Sequence, residues 1–274
     1  MQAITNTALR LWVVAASRAM NSRLARRIFT PPGRVVFIFP GLCIKSTTFT
    51  TLDEAATMQF VSASTTIPVP KVYGAFQHKK RVYIVMQRLN GQNLSVGWSQ
   101  RSEASKARIL GQLKMMIRQL RGIPPPGHVG VANVAGNPIY DQRLPKKSAW
   151  GPFRSIDDFH RELCNGMEAK YLQDGATSFP GLVELCSFYD RAWQQPVFTH
   201  GDLSSFNIIA DGDEIVGIVD WETAGWMPPY WEYTSAWNVN PQNRFWQQEV
   251  DKFLDPLPYE LEMERIRRRY FGDT

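Results

Sequence analysis

Over its first ninety residues the chain changes hydrophobic period several times. Residues 5–28 carry Leu9, Trp12, Val13, Ala16 and Met20 at helical spacing, which predicts a helix resting on that face. Residues 34–39 (RVVFIF) are β-branched and aromatic, Pro40-Gly41 is a turn, and 42–45 resume an extended run, so a hairpin is expected. A helical pattern over 52–62 follows, with Leu52, Ala56, Met58 and Val61 apolar. Residues 67–70 (IPVP) read as extended, because each proline drives the preceding residue out of the helical region. Residues 71–76 and 81–89 predict a second hairpin around 77–80.

After Gly91 the elements lengthen. Residues 102–121 predict a long helix that IPPPG ends, 128–155 read as loop, and helices are expected at 156–172 and 179–194. An extended core over 197–222, a stretch rich in Trp and Pro, and a last helix complete the chain. The pattern divides the molecule at Asn90-Gly91 into a small β-rich lobe, 1–90, and a larger helical lobe, 91–274. A cleft between two such lobes is a usual ligand site.

The chemistry concentrates in 199–221, THGDLSSFNIIADGDEIVGIVDW. Residues 208–210 and 214–219 read as strands joined by the tight-turn sequence Asp211-Gly212-Asp213. That hairpin brings its outer ends, Asn207 and Asp220, side by side. One carboxylate and one amide oxygen suit a hard cation such as Mg²⁺, with phosphates and water completing the shell. Asp202 stands on the loop just before, where it can face the same space. Phosphoryl transfer needs this set: one acid to hold the metal, another to orient a hydroxyl and accept its proton.

Composition narrows the reading further. With 44% hydrophobic and 20% charged residues the chain is of ordinary globular make-up. The longest apolar runs, 11–16 and 35–39, fall far short of the roughly 18 residues of a membrane span. Cys43, Cys164 and Cys186 form no CxxC pair and no disulfide framework, which favours a reducing compartment, the cytoplasm. The net charge of +6 is uneven: no acid precedes Asp53, so the first 52 residues are +7 and the remainder −1. Such a segment fits a solvated basic helix face, a polyanion partner or an organelle transit peptide. Arg265, Arg267, Arg268 and Arg269 (RIRRR) read as a solvated helix face, and no base-reading motif points to nucleic acid. Trp221, Trp226, Trp231 and Trp237 are assigned to core packing.

HGDLSSFN resembles the catalytic loop of the kinase-like phosphotransferases, an Asp followed five residues on by Asn, and IVDWE stands where protein kinases have their metal-binding Asp-Phe-Gly. The HGD opening and Asp-Trp-Glu are most similar to the aminoglycoside and choline phosphotransferases. IPVPKVYGAF, VMQRLNGQNL and DWETAGWMPPYWEY resemble fungal members of the aminoglycoside phosphotransferase family, from about residue 30 onwards. The resemblance implies an α+β, bilobal protein-kinase-like fold and transfer of the terminal phosphate of ATP, with Mg²⁺, to a hydroxyl of a small molecule. It makes Asp202 the catalytic base, Asn207 and Asp220 the metal ligands, and His200 a brace of the loop. Lys45 would meet the α- and β-phosphates with Glu54 as its ion-pair partner. Residues 86–89, Met86 and Gln87 among them, would be the hinge whose backbone binds adenine.

Two departures bear on the reading. No GxGxxG loop occurs in the small lobe, where TPPG at 30–33 is the turn placed to cover phosphates. Pro228-Pro229 and Trp231-Glu232 follow Asp220 within a dozen residues, too few for a peptide platform, which favours a small acceptor over a protein. The alternative is a catalytically silent nucleotide-binding module, against which stands the presence of all five polar residues. Asp251, Asp255, Glu260, Glu262 and Glu264 would suit a polycationic acceptor if they faced the cleft.

Overall fold

A computed structural model describes residues 6–22, 34–48, 51–127, 129–141, 143–144, 149–172, 179–238 and 241–272. The TPPG turn and the part of the leading helix from residue 23 on lie outside the described residues.

Both expected hairpins form. Strands β1 (Val35–Phe39), β2 (Leu42–Thr47), β3 (Val72–His78) and β4 (Arg81–Gln87) make an antiparallel sheet in the order β1-β2-β4-β3. Strand alternation sorts their side chains. Val82, Ile84 and Met86 of β4 join Cys43 of β2 on the face covered by α2 (Asp53–Ser64), whose Ala55, Met58 and Val61 are buried there. Tyr83 and Val85, with Val36 and Ile44, face the other way, against α1 (Thr7–Met20). Lys45 has the parity of Cys43, so β2 delivers it to the α2 side.

α1 rests on part of the predicted face. Val13 is buried and Ala16 and Met20 pack against the same cluster, whereas Leu9 and Trp12 are 46% and 44% exposed and Val14 and Ser17 are buried in their place.

One core runs from the sheet and α2 into the larger lobe, and a second lies wholly within that lobe. α3 (Glu103–Arg121), capped by the Ser102 hydroxyl accepting from Ser105 N–H at 3.2 Å, lies against the hairpin β7 (Ile208–Asp211) and β8 (Glu214–Ile218). The short β5 (Gln92–Asn93) pairs with β7, and β6 (Val197–Thr199) pairs with β9 (Gly225–Met227). The second core gathers α4 (Ile156–Leu163), α5 (Leu182–Tyr189) and α8 (Pro258–Phe271). α6 (Trp231–Trp237) and α7 (Gln247–Phe253) complete the lobe. α4 and α5 are shorter than expected. Asn165 and Gly166 turn left-handed after α4, and Gly181 does so at the start of α5, which ends the helical backbone there. Trp221, Trp226 and Trp231 are buried, as expected. The RIRRR face is corrected at one position: Arg267 is fully buried and donates twice to Glu264, at 2.8 and 2.7 Å. Its place in the turn facing the second core, beside an acid three residues earlier, outweighs the run of charge around it.

Candidate active site

A cleft of about 560 Å³ opens between the sheet and the β7–β8 hairpin. Lys45, Glu54, Met86, Gln87, Asn207 and Asp220 all line it. The hairpin closes as expected, with Val219 N–H donating to Asn207 O at 2.9 Å, so its two feet stand together. Asp202 joins through Asn207, whose amide nitrogen donates to Asp202 O and to Asp202 Oδ2, both at 2.9 Å. Those bonds occupy the Asn207 NH₂ and leave Oδ1 as its acceptor, the atom a hard cation requires. Asp220 has a left-handed backbone, φ 66° and ψ 56°, a conformation that Asp tolerates better than most residues.

Lys45 Nζ sits among three carboxylates: Glu54 at 2.7 Å, Asp220 at 2.5 Å and Glu222 at 3.4 Å. Burial alone would lower the Lys45 pKa, but the three carboxylates more than offset it and raise it. Burial pushes the Glu54 carboxyl up to about 7, with the ammonium opposing. The carboxylates of Glu54, Asp220 and Glu222 lie close enough to hold an ion. The Lys45 ammonium is bonded to all three. Glu222 also binds Arg34 at 3.1 Å. The letters Asp-Trp-Glu carried Glu222 in plain view, but nothing in its spacing revealed a contact with β2.

Around Asp202 the loop is tied from several directions. His200 Nδ1 accepts from Asp202 N–H at 3.1 Å while Nε2 donates to Val219 O at 3.0 Å, the pattern of a neutral ring, and burial lowers its pKa. Glu232, 1% exposed, accepts from His200 N–H at 2.7 Å and Gly201 N–H at 3.0 Å. Burial drives its pKa up to about 7 against those two bonds. Thr223 donates to His200 O at 2.9 Å, and Trp246 Nε1 to Leu203 O at 2.9 Å. Arg143 grips Asp141 through Nε and Nη2, at 2.8 and 2.7 Å, and Nη2 also donates to Gly201 O. Gly201 is required here: φ is +81°, and a Cβ would stand 2.9 Å from Thr223 O. Glu232, Arg143, Thr223 and Trp246 carried no sequence signal, because each acts from a segment remote in the chain.

The late acids do not line the cleft. Asp251 accepts from Tyr233 OH, Asp255 pairs with Lys114, and Glu260 with Arg191. Glu262 pairs with Arg265, and Glu264 with Arg267.

The profile of the phosphotransferase enzyme family matches residues 45–263, from the cleft lysine through to α8. The chain belongs to this family. No curated protein sequence matches it. Among solved structures, it resembles a thermostable mutant of the aminoglycoside phosphotransferase APH(4)-Ia in ternary complex with ADP and hygromycin B. The identity is 14%, the TM-score 0.59, and the match covers 87% of this chain and 82% of that one. It also resembles spectinomycin phosphotransferase APH(9)-Ia in complex with ADP and spectinomycin, at 14% identity and a TM-score of 0.52, over 85% and 79% of the two chains. At that identity the likeness shows the fold, which is α+β and kinase-like. In protein kinases the phosphate-binding lysine stands on the third strand. Here the cleft lysine, Lys45, stands on β2, and among the described residues no strand precedes β1.

Proposed function

We propose that this family member transfers the terminal phosphate of ATP to a hydroxyl of a small molecule, with Mg²⁺ bound at Asn207 Oδ1 and Asp220. One observation carries the reading. Asn207 and Asp220 line the cleft together with the Lys45–Glu54 pair, and Asp202 is bonded to Asn207 at 2.9 Å. A bound Mg²⁺ would neutralise charge on the phosphates. Asp202 orients the acceptor hydroxyl and takes its proton. Lys45 supports the phosphates, held upright by Glu54. Met86 and Gln87 form the adenine wall. Gln87 N–H and Arg88 N–H are already bonded to Lys71 O and Gly41 O, at 2.9 and 3.0 Å. The backbone N–H groups that read adenine therefore belong to residues 89–91, which begin at the last residue of the 86–89 hinge named from the sequence. The pairing of the late acids with other partners removes the reason to favour a polycationic acceptor.

The test is ADP release over a panel of hydroxyl compounds, beside calorimetry with Mg-ATP. Asp202→Ala should abolish turnover and keep nucleotide binding, while Asp220→Ala should lose the Mg²⁺-dependent part of that binding. Binding without turnover on any acceptor would move the protein to a silent nucleotide-binding module. Phosphorylation of generic peptides would instead make it a protein kinase.

A further inference from the structure

The acid-free leading segment lines the cleft through residues such as Arg34 and Lys45, and its described part also closes a second cavity. Between the C-terminal half of α1, the end of β2 and the β3–β4 turn lies a space of about 620 Å³. Six of its lining residues are basic: Arg18, Arg34, His78, Lys79, Lys80 and Arg81. No carboxylate lines it among the described residues, and the sequence has none before Asp53, which is engaged elsewhere by Asn133 at 2.9 Å. The basic groups come from two segments far apart in sequence, so one run of charge does not explain their meeting.

The floor is polar. Ser17 interrupts the face on which α1 buries Val13 and Val14, and its hydroxyl lies 3.4 Å from that of Ser46. Arg81 donates to Ser46 O at 3.3 Å, which holds its guanidinium at the rim. Cations gathered within a Debye length of about 8–10 Å repel one another, and an anion among them relieves that repulsion. Guanidinium, ammonium and hydroxyl groups together are the donors that phosphate oxygens accept from. The space is concave and within the roughly 300–1,000 Å³ range of small-ligand sites, whereas a polymer or a membrane asks for a broad surface.

We propose that this cavity is a second anion site, separate from the cleft, for a small molecule bearing one or more phosphate groups. Arg34 lines both spaces and holds Glu222 in the cleft, so the two sites share one guanidinium.

The experiment is calorimetric titration of the full chain with pyrophosphate in the absence of divalent cations. Saturable binding is expected in the wild type and in Lys45→Met, which damages the cleft alone. Binding should fall about tenfold or more in Arg18→Glu and in Lys80→Glu, each losing a charged contact at an exposed position and unfolding at the wild-type temperature. Two results overturn the proposal: no saturable binding at millimolar pyrophosphate, or loss in Lys45→Met with retention in both charge reversals. A third arm offers phosphatidylserine-containing vesicles and duplex DNA. Tighter binding of either, lost in the same variants, would overturn the small-ligand assignment. Turnover by the cleft enters none of these readings, so the phosphotransferase proposal stands or falls separately.

Discussion

The two walls of the cleft are stabilised in opposite ways. The loop around Asp202 is held through its backbone: Glu232 accepts from two of its N–H groups, while Thr223, Trp246 and Arg143 donate to its carbonyls. The Lys45 wall is held by charge: three carboxylates share one ammonium and, through Glu222, one guanidinium. The first arrangement is complete by itself and fixes a geometry. The second sets three carboxylates against two cations, so under the proposed function it gains most when Mg²⁺ comes to share Asp220. Preorganisation on one side and charge waiting for a partner on the other is the division that phosphoryl transfer uses.

Removing Asp202 should show the sharpest contrast. Asp202→Ala is expected to lower kcat about 10²–10⁴-fold, the usual share of a general base, with the Kd for Mg-ATP nearly unchanged. Stopped turnover and calorimetry on the same preparation check it; equal loss in both would blur the two walls into one. Lys45→Met should act on the other side, weakening ATP binding about tenfold or more through loss of a charge-assisted contact while adenosine binding stays the same.

The Glu232 carboxyl tests the loop by pH. Its pKa is raised from 4.5 to about 7 in the folded protein. A raised acid supports the fold below its unfolded pKa and loses that support as pH climbs through the folded value. Between pH 4.5 and 7 the wild type should therefore lose on the order of 3 kcal/mol of stability relative to Glu232→Gln, read from denaturant midpoints at each pH. Parallel curves for the two proteins would show that burial does not set this group. Arg143→Ala should give the smallest effect, kcat down about tenfold with KM little moved, since it loosens Gly201 without touching substrate. An effect on KM alone would place Arg143 in the acceptor site instead.

Much of this was legible in the chain. β1 to β4 and α2 fell near where the sequence put them, because short strands with a two-residue turn and the breaks between elements are local matters. The meeting of Asn207 and Asp220 followed from Asp211-Gly212-Asp213, since a tight hairpin leaves its two feet no other place. The pairing of Lys45 with Glu54 came from resemblance and is geometric fact at 2.7 Å. The exposure of Leu9 and Trp12 on α1, the burial of Arg267 and the contacts of Glu222 and Glu232 were not legible. Each depends on which element lies opposite, and neither apolar nor charged residues announce a partner thirty or more positions away.

The sequence by itself therefore determined the elements, the order of the two lobes and the polar residues carried by the β7–β8 hairpin, because backbone preference and turn chemistry act within a few residues. Only the tertiary structure decided that Glu232 and Arg143 hold the Asp202 loop, that the late acids turn away, and that a basic cavity forms beneath α1. Those outcomes are set by packing and by electrostatics across space, where desolvation makes each buried polar group depend on whichever remote segment arrives to satisfy it.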